Sequence, residues 1–139
     1  MLWGEKPYYS LDYYLKQTFG SKTYKASLHA GFTCPNRDGT IGRGGCIFCS
    51  RGGSGEFAGS RALSIKEQID SQIALLSAKR PIHKYIAYFQ AYTNTYAPVS
   101  YLEKIFTEAL SAPLVCGISI ATRPDCLPED VLALLGTLK

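Results

Sequence analysis

Apolar and polar positions along this chain switch between two periods, and the switches divide it into elements. Residues 10–19 set Leu11, Tyr14, Leu15 and Thr18 with Phe19 at helical spacing, and Gly20 follows where helices commonly end. Residues 24–30 alternate loosely, as a strand does, and Gly31 closes them. The capping-box pattern Ser64-Ile-Lys-Glu67 leads into Ile65, Ile69, Ile73 and Leu76 on one face, which predicts a helix of about four turns. Residues 84–89 are an apolar run of strand length, rich in aromatic and β-branched side chains, that passes into a polar tip at 90–96. Pro98 can start a helix and Ser100 with Glu103 offers a cap, while Leu102, Ile105, Phe106, Ala109 and Leu110 form a continuous stripe. Residues 114–121 are nearly unbroken apolar sequence, the pattern of a strand buried on both faces. Pro128, Glu129 and Asp130 then open a last helix with Val131, Leu134, Leu135 and Leu138 as its buried stripe.

Strand and helix in alternation predict an α/β fold with parallel strands joined by right-handed crossovers. In such sheets the carboxyl ends of the strands line the ligand site. A polar segment follows each predicted strand: the loop from Gly31, the tip at 90–96, and residues 122–125. All three are therefore expected on one rim.

Composition narrows the class. With 139 residues, 46% hydrophobic and 19% charged, the chain has the makings of one globular domain and is unlike a disordered segment. No stretch of about eighteen apolar residues exists, and the first residues lack the apolar core of a signal peptide, so a soluble cytoplasmic protein is expected. Five cysteines are an odd number, better suited to metal or redox chemistry than to a disulfide framework. The formal charge of +4 is uneven: residues 1–66 hold nine Lys or Arg against four acids, residues 67–139 six against seven. Arg37, Arg43, Arg51 and Arg61 lie in or near the cysteine loop, either to meet an anionic partner such as RNA or as solvated loop side chains.

The chemistry concentrates in Cys34, Cys46 and Cys49, spaced C-x11-C-x2-C across a glycine-rich loop. Three thiolates can hold three irons of a four-iron cluster and leave the fourth open to a small molecule. Zinc is the other reading of Cys46 and Cys49, and it requires a further ligand from His29 or Cys126. Spacing alone fixes neither metal. A thioredoxin-like role fits less well, because this C-x-x-C follows a glycine loop instead of opening a helix. Cys116 reads as a small core residue and His29 as a satisfied core histidine. Asn36, Arg37 and Asp38 suit a turn. Arg123 is open to two readings, a structural contact with Asp125 or a helix end, or contact with a bound cofactor.

The stretches 31–40, 44–49, 88–93 and 121–128, taken in order, resemble the radical S-adenosylmethionine (SAM) superfamily, in the YhcC/YtqA-type proteins of bacteria that belong to its Elongator-related branch. Phe48 immediately before Cys49 matches the aromatic position of that motif, and the long first gap is a feature of this branch. The resemblance implies a parallel (β/α)6 partial TIM-type barrel, with Cys34, Cys46 and Cys49 holding a 4Fe-4S iron-sulfur cluster. It implies S-adenosyl-L-methionine as second cofactor, with Phe48 near the adenine and Gln90, Ala91, Tyr92 and Thr93 in place of the segment that holds the SAM amino group. That segment is usually Gly-Gly-Glu, which is absent here. Thr122 and Arg123 would approach the ribose or carboxylate. A reducing partner of flavodoxin or ferredoxin type and a tRNA substrate belong to the same expectation, against an RNA-binding module without SAM cleavage. Three βα units stand where the family has six, so the chain is expected to be the N-terminal half, with a helical extension at 1–23 and the core from 24 to 139.

Overall fold

The computed structural model describes residues 2–32, 40–43, 63–77, 84–90 and 92–139. Along these the chain forms α1 (Leu11–Phe19), β1 (Thr23–Leu28), α2 (Ile65–Ser77), β2 (Lys84–Phe89), α3 (Val99–Leu110), β3 (Val115–Ile120), a 3-10 turn (Pro124–Cys126) and α4 (Glu129–Leu138). The strands pair in parallel in the order β1-β2-β3, giving an open sheet built from three βα units.

Local chemistry sets the element ends. Ser10 Oγ accepts from the Tyr13 amide at 3.1 Å, and Gly20, at φ 77°, closes α1 with its amide on the Lys16 carbonyl. The Lys84 ammonium donates to the Phe19 carbonyl, placing a cation on the negative end of that helix. The capping box before α2 is formed in both directions, Ser64 N–H to Glu67 Oε2 at 2.8 Å and Glu67 N–H to Ser64 Oγ at 3.2 Å. At α3 the expected Ser100 cap does not occur. The helix already begins at Val99 after Pro98, which puts Ser100 inside the first turn.

The core lies between the sheet and helices α2, α3 and α4. Strand β2 sits in the middle of the sheet, and its Tyr85, Ala87 and Phe89 are fully buried in strict alternation. Phe89 meets Phe106 of α3 edge to face, with ring centroids 5.0 Å apart. Leu28, Ile69, Leu102 and Phe106 complete the fully buried centre.

Three expectations are corrected. All six residues of β3 are half-buried, and among the described residues β3 lies at the sheet edge beside β2. Its register slips beside Tyr85, so that Tyr85 pairs with Val115 and Ile86 with Gly117. Cys116 is the extra residue. Its thiol contacts the Tyr85 carbonyl at 3.4 Å, and burial pushes its pKa up, so it is half-buried at a bulge instead of lying in the core. In α1 the predicted stripe is largely exposed: Leu11 and Tyr14 are 56% and 47% accessible and only Leu15 is buried. No helix among the described residues is long and apolar enough to cross a membrane.

Truncating Phe106 to Ala removes the ring that fills the space over Phe89. The expected cost is about 3–5 kcal/mol, read as a lower urea midpoint in equilibrium unfolding. Leu132→Ala, at a half-exposed position, should stay within about 0.5 kcal/mol of the parent protein.

Candidate functional site at the carboxyl rim

Parallel pairing brings the strand ends level. Leu28 pairs with Phe89 and Phe89 with Ile120, so all three strands leave the sheet at one edge. The ladder continues for a residue beyond: Gln90 N–H donates to the Leu28 carbonyl and Ala121 N–H to the Phe89 carbonyl. The chain then turns so that Asn94 N–H reaches the Ala121 carbonyl at 3.0 Å. The tip of β2 is therefore folded across the end of β3.

Asn94 is fully buried in this fold-over. Its Nδ2 donates to the Ala121 carbonyl at 2.9 Å and to the Tyr92 carbonyl at 3.3 Å. Two facing carbonyls fix the amide orientation, since the flipped form would set oxygen against oxygen. Oδ1 is then a buried acceptor with no hydrogen-bond partner among the described residues. A buried acceptor of this kind is costly to leave unsatisfied. Tyr92, two residues earlier, has φ 63°, in the left-handed region that non-glycine residues rarely occupy, and its ring stands edge-on to His29 with centroids 5.7 Å apart. Backbone strain of this sort collects at functional sites.

A hydroxyl chain joins the second and third rim segments. Thr95 Oγ1 donates to the Cys126 carbonyl, so its oxygen must accept from the Thr122 hydroxyl. Thr93 is buried and its carbonyl closes a turn with the Tyr96 amide at 3.2 Å. Arg123 is held by its neighbour: Nε and Nη2 reach the two oxygens of Asp125 at 2.9 and 2.7 Å. That bidentate hydrogen-bonded contact keeps the Asp125 carboxyl below its ordinary value.

On the β1 side, the exit turn is bound by side chains from two helices. The His29 amide donates to Gln68 Oε1 at 2.7 Å, Gln68 Nε2 returns to the His29 carbonyl at 2.8 Å, and Tyr101 Oη donates to the Ala30 carbonyl at 2.7 Å. Gly31, at φ 80°, supplies the turn and donates to His29 Nδ1. Further along, Thr40 and Tyr96 share a hydroxyl contact at 3.1 Å. Beside it opens a cleft of about 510 Å3, lined by Thr40, Ile41, Thr95, Tyr96, Asp125 and Cys126 among others. Its size suits a small molecule.

Of the residues singled out in the sequence, Gln90, Tyr92, Thr93, Thr122 and Arg123 come together on this rim. Cys34, Cys46, Cys49, Phe48 and Ala91 lie outside the described residues. Among the described residues no three His, Cys, Asp or Glu gather as metal ligands. Cys126, one of the two residues the zinc reading could recruit, is buried with its sulfur 3.7 Å from Asp125 Oδ1. Sequence reasoning passed over Asn94, Thr95 and Gln68. The first two sat within a tip read only as polar. Gln68 carried a signal that went unused, a polar residue beside Ile69 on the inward side of an amphipathic helix.

No protein-family profile and no solved structure matches the chain. Curated relatives do. The chain is 52% identical to YtqA of Bacillus subtilis over 134 residues, covering 96% of this chain and 42% of that protein. It is 46% identical to YhcC of Escherichia coli K12 over 125 residues, covering 90% and 39% respectively. A protein of Methanocaldococcus jannaschii is 38% identical over 126 residues, covering 88% of the chain and 37% of the relative. The chain thus spans about two fifths of the length of these relatives. Over nearly its whole length it is a homologue of the YtqA and YhcC proteins.

Proposed function

We propose that this chain carries the cluster-binding part of a radical S-adenosylmethionine enzyme. The observation that carries the reading is the convergence on one rim of the tip of β2 and the segment after β3, at the same edge from which β1 leads into the three-cysteine sequence. Three soft thiolates, Cys34, Cys46 and Cys49, are a donor set suited to three irons of a 4Fe-4S cluster. Asn94 Oδ1 provides a test of fit for the second cofactor: a buried acceptor without a partner among the described residues calls for an N–H donor, and S-adenosylmethionine brings both an ammonium and an adenine amine. Held there by Cys34, Cys46 and Cys49 and the rim residues, the two cofactors would supply radical chemistry at an unreactive carbon, with an external one-electron donor and methionine as the group released.

The residues of the chain bind, orient and exclude water. The fold-over of Asn94 on Ala121 and the hydroxyl chain from Thr122 to Cys126 hold two rim segments in one geometry, which positions polar groups before any ligand arrives. Tyr92 and His29 set aromatic rings edge to face between the ends of β1 and β2. The Asp125 contact favours a structural role for Arg123, since its Nε and Nη2 are already committed. In the whole protein the electron comes from a flavodoxin- or ferredoxin-type donor, and a tRNA nucleoside is the substrate class that suits the basic first half of the chain. An RNA-binding module holding zinc or a cluster without SAM cleavage is the competing class.

Anaerobic reconstitution with iron and sulfide should load about four of each per chain, and reduction should give an axial EPR signal that changes when S-adenosylmethionine is added. Serine at Cys34, Cys46 or Cys49 should abolish that signal. Stoichiometric zinc with no iron uptake would sink the reading. For Arg123, the lowered pKa of Asp125 means that the pair stabilises the fold above the ordinary carboxylate value of 3.8 and loses this contribution as pH falls through the still lower folded-state value. In Arg123→Gln, carbon-detected NMR should find Asp125 titrating nearer 3.8, while the SAM-induced EPR change is retained.

A further inference from the structure

Gln68 is almost wholly buried on α2, at a position where the apolar stripe would accept a leucine. A primary amide survives such burial only when its polar atoms are paired. Its partners are backbone groups far apart in sequence. Oε1 accepts from His29 N–H at 2.7 Å, and Nε2 donates to the His29 carbonyl at 2.8 Å and to the Leu63 carbonyl at 3.1 Å. His29 is the first residue after β1, and Leu63 is the residue before the Ser64 cap of α2. One side chain therefore ties together the two ends of the segment that carries Cys34, Cys46 and Cys49.

That segment is costly to order. Eight glycines fall between residues 33 and 62, and glycine loses more backbone freedom on ordering than any other residue. Closing the ends removes part of that cost before a metal binds. Tyr101 of α3 adds a second tether three residues before residue 33, with Oη on the Ala30 carbonyl and its ring edge-on to Phe32.

We infer that Gln68 is a positioning residue for the three-cysteine segment: it clasps His29 and Leu63, which flank that segment in the sequence, and so fixes its two anchor points before a metal cluster binds. The inference rests on the cluster reading above for its metal and on the hydrogen bonds for its geometry. Groups that orient metal ligands without touching the metal commonly govern how tightly it is kept.

The test compares wild type with Gln68→Leu, which keeps the volume and deletes all three hydrogen bonds, and with Tyr101→Phe, which removes a single hydroxyl and leaves the ring. Leu134→Ala on α4, away from the clasp, serves as a control for loss of stability. After iron and sulfide loading, Gln68→Leu should surrender iron to a chelator about tenfold faster than wild type and with an altered EPR line shape. Tyr101→Phe should do so about twofold to fivefold faster. In the metal-free protein, hydrogen exchange of Gln68→Leu should rise about tenfold at residues 29–32 and 63–64 while β2 stays as in wild type. Equal iron loss in wild type and Gln68→Leu overturns the inference, as does equal acceleration in Leu134→Ala or exchange raised over the whole chain. If wild type itself takes up no iron, the cluster reading fails, and the clasp then stands or falls on the local exchange pattern alone.

Discussion

Everything at the rim depends on parallel registry. Leu28, Phe89 and Ile120 pair across the sheet, so three strands end at one level and their following segments leave on the same side. Antiparallel pairing would have sent alternate segments to opposite ends. Fully buried Phe89 anchors this level from below through its contact with Phe106, and the chain above it is free to be polar.

Above that level, backbone groups that have left the ladder are satisfied by side chains instead of by further strand. Gln68 binds His29, Tyr101 binds Ala30, and Asn94 binds Ala121 and Tyr92. Each comes from a different part of the sequence, and each removes the cost of a buried unpaired carbonyl or amide. Irregular chain can thus be held in a definite shape near the core, which is the condition a binding site requires. Homology to YtqA and YhcC runs through the strands and these connecting segments alike, since the matches cover 96% and 90% of the chain.

Where the apolar pattern was strong and its partners local, the elements were legible. Strand β2 occupies the residues its composition indicated, and the α2 capping box forms as its spacing required. The pattern misled where partners are distant. An apolar run describes a strand buried on both faces and an edge strand equally well, so the pattern indicated more burial for β3 than it has among the described residues. In α1, helical spacing identified the helix but not the extent of the surface beneath it, which covers Leu15 and leaves Leu11 and Tyr14 outside.

By itself the sequence determined the alternation of strand and helix, the polar segment after each strand, and the presence of three cysteines in one of those segments, because these follow from periodicity, turn chemistry and composition. Only tertiary structure decided which polar residues act on which. The hydrogen bonds of Gln68 span 39 residues to His29, and that of Asn94 spans 27 to Ala121. Such contacts leave no periodic trace, since a side chain bound to backbone has no partner side chain whose identity must match. Arg123 shows the opposite case: its carboxylate lies two residues away, so the ion pair could be proposed from the chain and needed the fold only to choose it.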